Sequence, residues 1–229
     1  MNLFALLEEI GHFAYFSYKS LLVLPGSLLQ PRETMGQFYR ILIGALPLAV
    51  VAGLAIGLVL WMHLRGVLVR TGGPGTIQYL PTAVALAVVL EFAPIGAGLI
   101  VAGRTGASLG AELGAMRLTE QIDALEAMGQ SSLRRLIGPR VLACMVALPL
   151  LTIFIATLAI LGAFGAEMLT GSITSLQYEM NTWNGLRMED VLPSTLKTLF
   201  FGFVTGVSGC YFGMKAHGGT EGVGHAATR

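Results

Sequence analysis

The chain has 229 residues, 54% of them hydrophobic and 12% charged, with a mean hydropathy of +0.72. A soluble domain carries roughly 25% charged residues, so this composition excludes both a water-facing globule and a disordered chain and places the protein in a bilayer. Fourteen basic against 13 acidic residues, a net charge of +1, exclude the basic excess that a nucleic-acid partner demands.

Residues 1–40 form a separate piece. Leu3, Leu6, Leu7, Ile10, Phe13, Ala14 and Tyr18 recur at helical spacing with Glu8, Glu9, His12 and Lys19 between them. That pattern predicts an amphipathic helix lying in the membrane interface and ending near Pro25 and Gly26, the alternative being a short soluble helix packed on the membrane domain. Glu8 and Glu9 interrupt the early apolar stretch and no basic segment precedes it, which argues against a signal peptide.

Four runs then have the length needed to cross a hydrocarbon core, about 20 apolar residues: 41–64, 77–103, 141–164 and 196–214. They are continuous rather than alternating, which sets a closed β-barrel aside. Gly72-Gly73-Pro74-Gly75 is a turn between the first two. Glu91 falls near the middle of the second run, where a carboxylate costs on the order of 2.5 kcal/mol or more. Its own helix offers no counter-charge, since Arg104 stands about 20 Å further along the axis and Lys197 is taken as the start of the fourth run. Glu91 is therefore protonated, bonded to a neighbouring helix, or facing a wet or lipid-filled cavity, and the cavity is the preferred reading.

After the second run, Gly106, Gly110 and Gly114 recur every four residues beside Ala107, Ala111 and Ala115. Such spacing lets helix backbones approach closely, within one chain or between two. Residues 115–135 form a cytoplasmic loop. In it, Thr119 is expected to cap a short helix with Glu120 and Asp123 in the first turn. Leu118, Ile122, Leu125 and Met128 are expected to share one face, and Gly129 to end the helix. A helix this short must dock on something, either its own membrane domain or a cytoplasmic partner. The 165–194 segment is read as an ordered extracytoplasmic excursion with a short helix of its own, and residues 218–229 as a polar, glycine-rich tail. Cys144 and Cys210 lie inside apolar runs and are read as small core residues.

The basic residues orient the chain. With the N-terminus in the cytoplasm, Lys19, Arg32, Arg40, Arg104, Arg117, Arg134, Arg135, Arg140, Lys215 and Arg229 fall inside, and Arg65, Arg70, Arg187 and Lys197 outside. No phosphate-binding G-x-x-x-x-G-K-[ST] and no H-E-x-x-H occurs, and the four histidines are scattered. The chain itself is therefore expected to be no enzyme, with no catalytic or metal-binding residue, and the energy for any transport comes from elsewhere.

The run from Ala102 to Gly114, the element Thr119-Glu120-Gln121-Ile122-Asp123-Ala124-Leu125 with Met128-Gly129, Pro139-Arg140, Leu148-Pro149-Leu150-Leu151 and the tail from Glu221 to Arg229 strongly resemble the MlaE (YrbE) family. That family comprises the permease subunits of ABC transporters that serve MCE proteins in lipid transport. The resemblance implies a single all-α permease domain similar to ABCG-type exporters, with a fifth span after the tail, acting as a homodimer in the bacterial inner membrane. Many members carry an arginine where this chain has Leu90. The implied partners are an ABC ATPase subunit that binds ATP and Mg, a periplasmic MCE-domain protein, a small cytoplasmic STAS-type protein and phospholipid, with no cofactor on this chain.

The expected function is phospholipid transfer between the inner membrane and the MCE carrier, maintaining outer-membrane asymmetry. Glu91 would line the lipid cavity, as the matching glutamate of the family does. Arg117, Thr119, Glu120, Gln121, Ile122, Asp123, Leu125, Glu126 and Met128 would couple to the ATPase. An ion-coupled secondary transporter, or a non-transporting membrane scaffold, is the alternative.

Overall fold

The computed structural model describes residues 3–228, apart from the side chains of residues 3–6 and 220. The expected places of Leu3 and Leu6 in the first apolar pattern, and of Arg229 in the basic set, lie outside the described residues. Among the described residues the chain is helical apart from short connections and contains no strand. In chain order, α1 is Leu3–Ser27, α2 Pro31–Gly72, α3 Pro74–Leu118, α4 Gln121–Ala127, α5 Leu133–Thr170, α6 Ser175–Gly185, α7 Met188–Met214 and α8 Gly219–Thr228. Helix α3 opens with a 3-10 turn, Pro74–Tyr79, and widens into π-helical turns at Val88–Phe92 and Val101–Gly106; α5 starts with another at Leu133–Ile137.

Helices α2, α3, α5 and α7 are long and apolar enough to cross a membrane, so the chain is an all-α, multi-pass membrane protein. Each contains one of the four apolar runs and extends past it. The polar residues that bound the runs continue the helical backbone, because a helix outside the hydrocarbon satisfies its own hydrogen bonds as well as one within it. Pro31 stands at the first position of α2, where a missing N–H costs nothing.

The chain divides into two structural units. The first comprises residues 1–44, 101–147 and 200–229. Its core holds Leu109, Leu113, Ile137, Val141, Val207 and both cysteines, Cys144 and Cys210, which are buried and unpaired. Helix α1 closes over this core with Phe13 and Phe16, whose rings meet the edge of Tyr211 at 5.2 and 5.4 Å between centroids. Leu7, Ile10, Tyr18, Leu21 and Leu22 point outwards instead. The described part of the expected apolar series on α1 is therefore split: Phe13 faces the core, and Leu7, Ile10, Ala14 and Tyr18 are left to the surroundings of the chain.

The small residues of α3 are used inside the chain. The α3 backbone at Gly110 lies so close to α8 that a Cβ there would sit 2.6 Å from the Ala226 carbonyl oxygen, and one on Gly213 of α7 would meet the Gly110 oxygen at 2.9 Å. Gly114 faces Ala216 and Val223 in the same way. The glycine-rich tail is thus helical, because a helix with small residues can nest against another that also has them. Gly110→Val is expected to lower the thermal unfolding midpoint of the detergent-solubilised protein markedly, since the obstruction is backbone and overpacking of this kind costs about 1–3 kcal/mol or more. An unchanged midpoint would show that α8 does not dock on α3.

The second unit comprises residues 45–100 and 148–199. Gly53 and Gly57 of α2 face Ile155 and Ala159 of α5. Helix α6 lies within the 165–194 segment and is tied to the start of α3. Thr82 Oγ1 donates to the Asn181 carbonyl at 2.8 Å, and Asn181 Nδ2 donates to the Gln78 carbonyl at 2.9 Å. Phe164 and Tyr178 meet edge to face at 5.2 Å.

Candidate functional site

Two places bear the residues singled out by sequence. The first is the connection from α3 to α5. Thr119 does not cap α4 as expected: it ends α3, its hydroxyl donating back to the Ala115 carbonyl at 2.9 Å. The Ala115 carbonyl also accepts the Thr119 N–H at 3.0 Å, so the hydroxyl back-bonds to the same helical oxygen and its side chain turns away from α4. The chain reverses instead at Glu120, whose φ of 56° is left-handed. For a residue with a side chain this costs about 1–2 kcal/mol, so packing on either side must hold it. Gly129 ends α4 as expected, with φ 75°. Its N–H bonds to the Glu126 carbonyl and that of Gln130 to the Leu125 carbonyl, at 2.9 and 3.2 Å, the paired bonds of a glycine-terminated helix.

The expected single apolar face is not formed. Ile122 is fully buried, Leu125 half-buried, and Leu118 and Met128 are exposed. Ile122 thus anchors α4 to its own chain, leaving Met128 as the more exposed of two free apolar groups, beside Leu118. Arg117 pairs with Asp123, and Ser132 Oγ donates to Glu126 Oε1 at 2.6 Å. Glu120 and Gln121 project outwards without a partner of their own among these contacts. The result is a short exposed helix held at both ends, with a free carboxylate and a free thioether.

The second place is Glu91, in the π-helical turn Val88–Phe92 of α3. It does have a counter-charge: Lys197 Nζ donates to Glu91 Oε1 at 3.2 Å. The expectation that Glu91 lacks a partner fails because Lys197, at the start of the fourth apolar run and ten residues into α7 (Met188–Met214), faces α3 across the helix contact. The extra residue in the π turn rotates Glu91 relative to a regular helix, a feature that recurs at functional sites. Both side chains remain open to the outside of the chain, Glu91 at 64% and Lys197 at 39% exposure.

Sequence reasoning passed over a third group. Glu167 of α5 is wholly buried; Trp61 Nε1 donates to its Oε2 at 2.7 Å, and Arg65 Nε lies 3.6 Å from the same oxygen. Arg65 in turn donates to Ser172 Oγ at 2.6 Å. Nearby, burial pushes the Tyr178 hydroxyl up, helped by the negative Glu167. The apolar residues on either side of Glu167, Ala166 and Met168-Leu169, were the only signal that the third span runs on past Phe164. Glu167→Ala, which strands the buried part of Arg65 and the indole N–H, is expected to cost about 3–5 kcal/mol, read as a lower unfolding midpoint. Glu167→Gln, which keeps an acceptor for Trp61, is expected to cost less. Equal midpoints for the two variants would remove the hydrogen bond as the cause.

Residues 34–229 match the protein family described as Permease MlaE. The chain is 31% identical over 221 residues to a probable ABC transporter permease protein of Rickettsia typhi, covering 96% of this chain and 84% of that one. It is 28% identical over 200 residues to a probable ABC transporter permease protein of Synechocystis, covering 86% and 74%. It is also 33% identical over 147 residues to the chloroplast protein Trigalactosyldiacylglycerol 1 of Arabidopsis thaliana, covering 63% and 41%.

Proposed function

We propose that this chain, which belongs to the MlaE permease family and is thus a transporter permease, is driven by an ATPase in a separate subunit and moves phospholipid between a bacterial inner membrane and a periplasmic MCE-domain carrier. The observation that carries this reading is the Glu91–Lys197 pair. An ion pair inside spanning helices yet open to the outside of its chain is costly against acyl chains, and it needs a polar cover. A second copy of the chain enclosing a headgroup-sized polar lumen supplies that cover. The Arabidopsis relative is named for a glycolipid, which favours a lipid cargo.

In this reading, nucleotide-driven closure of the ATPase reaches the permease through residues 117–129 and alternately widens and narrows the lumen. Glu120 and Met128 contact the ATPase directly, Ile122 positions them, and the inner-membrane complex serves outer-membrane lipid asymmetry. Purification from native membranes is expected to yield two copies of the chain with an ATPase and an MCE-domain protein. Lipid release to the carrier is expected to stall with a non-hydrolysable ATP analogue. A complex with one copy of the chain would remove the shared lumen, and transport driven by an ion gradient without ATP would favour a secondary transporter.

A further inference from the structure

Four arginines converge on a cavity of about 540 Å³ in the first structural unit: Arg32 and Arg40 from α2, and Arg135 and Arg140 from α5, with Glu33 and Leu125 also on its wall. The volume is that of a small-molecule site. Arg135 Nη2 lies 3.1 Å from Glu33 Oε1. Arg140 Nη2 donates to Glu112 Oε1 at 2.7 Å and its Nη1 to the Leu136 carbonyl at 2.8 Å. Four positive charges thus face two carboxylates, and among the described residues no carboxylate pairs with Arg32 or Arg40.

Arg140 is 5% exposed, and its Nε is buried without a hydrogen-bond partner. Leaving one N–H of a buried guanidinium unmet is expensive, and an oxyanion in the cavity would meet it. Guanidinium groups suit this ligand, because their planar fork matches two oxygens of a phosphate.

The depth of the cavity selects the source of that phosphate. Arg40 directly precedes the apolar run that opens at Ile41, and Arg140 directly precedes the one that opens at Val141. Both therefore stand where their helices enter the hydrocarbon, which is the level of the lipid phosphates. The distribution of basic residues assigns that end of the spans to the cytoplasmic leaflet. We infer that this cavity holds the phosphate of an anionic phospholipid of the cytoplasmic leaflet, seated against Arg140 with Arg32 and Arg40 closing on it. The inference rests on the membrane placement of the chain and not on phospholipid being its cargo. Since Leu125 of α4 lines the same cavity, an occupied site would also buttress the exposed helix.

The test uses the purified permease complex in detergent, titrated with dioleoyl phosphatidylglycerol and, as the zwitterionic control, dioleoyl phosphatidylcholine, with bound lipid counted by native mass spectrometry. The double variant Arg32→Gln, Arg40→Gln changes exposed side chains only, so its fold is expected to survive. Each arginine near a membrane surface is worth roughly fivefold in anionic-lipid affinity, and the double variant should bind phosphatidylglycerol about 25-fold more weakly. Arg140→Gln should also weaken binding, while Arg70→Gln, an exposed arginine at the other end of α2, should leave this binding unchanged. Unaltered phosphatidylglycerol affinity in the folded double variant, or equal affinity for phosphatidylcholine in the parent protein, would overturn the proposal. Complete displacement by millimolar inorganic phosphate would overturn the lipid source and leave a free-phosphate site. A crosslink of an ATPase carboxylate to position 40, with no phosphatidylglycerol retained, would overturn both.

Discussion

Replacing Glu120 and Asp123 together by lysine is expected to abolish lipid transport, reducing it at least a hundredfold, and to free ATP hydrolysis from dependence on lipid, while the protein still inserts and dimerises. Glu120 projects from the loop without a partner, so its charge is available to another chain, whereas Asp123 is already engaged by Arg117. Reversing two charges at a protein contact changes a desolvated pair into a repulsion worth several kcal/mol, enough for that loss. Two further variants separate contact from internal structure. Glu120→Gly suits the left-handed backbone and should stabilise the loop, yet it still removes the carboxylate, so coupling should fall while the unfolding midpoint rises. The exchange Arg117→Asp with Asp123→Arg restores the internal pair. If the exchange restores transport, Asp123 serves only to brace the loop. If Glu120→Gly transports like the parent, Glu120 does not meet the ATPase.

The second large effect is expected at Glu91. Glu91→Ala leaves Lys197 as a lone ammonium inside a spanning helix, and Glu91→Lys places two such groups together. Both variants should lose transport by at least a hundredfold, since an unpaired charge at this depth costs several kcal/mol unless the lumen rearranges to hydrate it. Glu91→Gln, which can still accept a hydrogen bond from Lys197, should retain a measurable fraction. The exchange Glu91→Lys with Lys197→Glu tests what the pair is for. Restored assembly with transport still lost means that the carboxylate must stand on α3, facing the lipid, while full recovery of transport means that only the pairing matters. Wild-type lipid crosslinking and transport in Glu91→Ala would leave Glu91 without a functional role.

The four spans were legible because a hydrocarbon core demands an uninterrupted apolar length, and no other constraint acts on those residues as strongly. Gly129 was legible for a similar reason: a left-handed turn with paired carbonyl bonds calls for a residue without a Cβ. What escaped depends on where helices end. The fourth apolar run begins at Leu196, yet α7 begins at Met188, and Lys197 at the start of that run pairs with Glu91 across two helices far apart in sequence. The third run was closed at Phe164, which put Glu167 in the excursion, although it lies inside α5 against Trp61. Thr119 and Glu120 traded roles for the same reason, since a residue two positions from a helix boundary can serve either the helix before it or the one after. The tail was opaque because its helix comes from nesting against α3, a tertiary effect that local propensity opposes, given four glycines in residues 218–229.

The ties at the two ends of α4 have a mechanical consequence. Arg117, in the last turn of α3, grips Asp123, and Glu126 receives the hydroxyl of Ser132 just ahead of α5. The exposed helix is therefore a crossbar pinned to two membrane-spanning rods, not a pendulum hung from one. A displacement of this crossbar cannot be absorbed by a slack hinge on either side; it loads both rods in the same stroke, so they tilt as a pair.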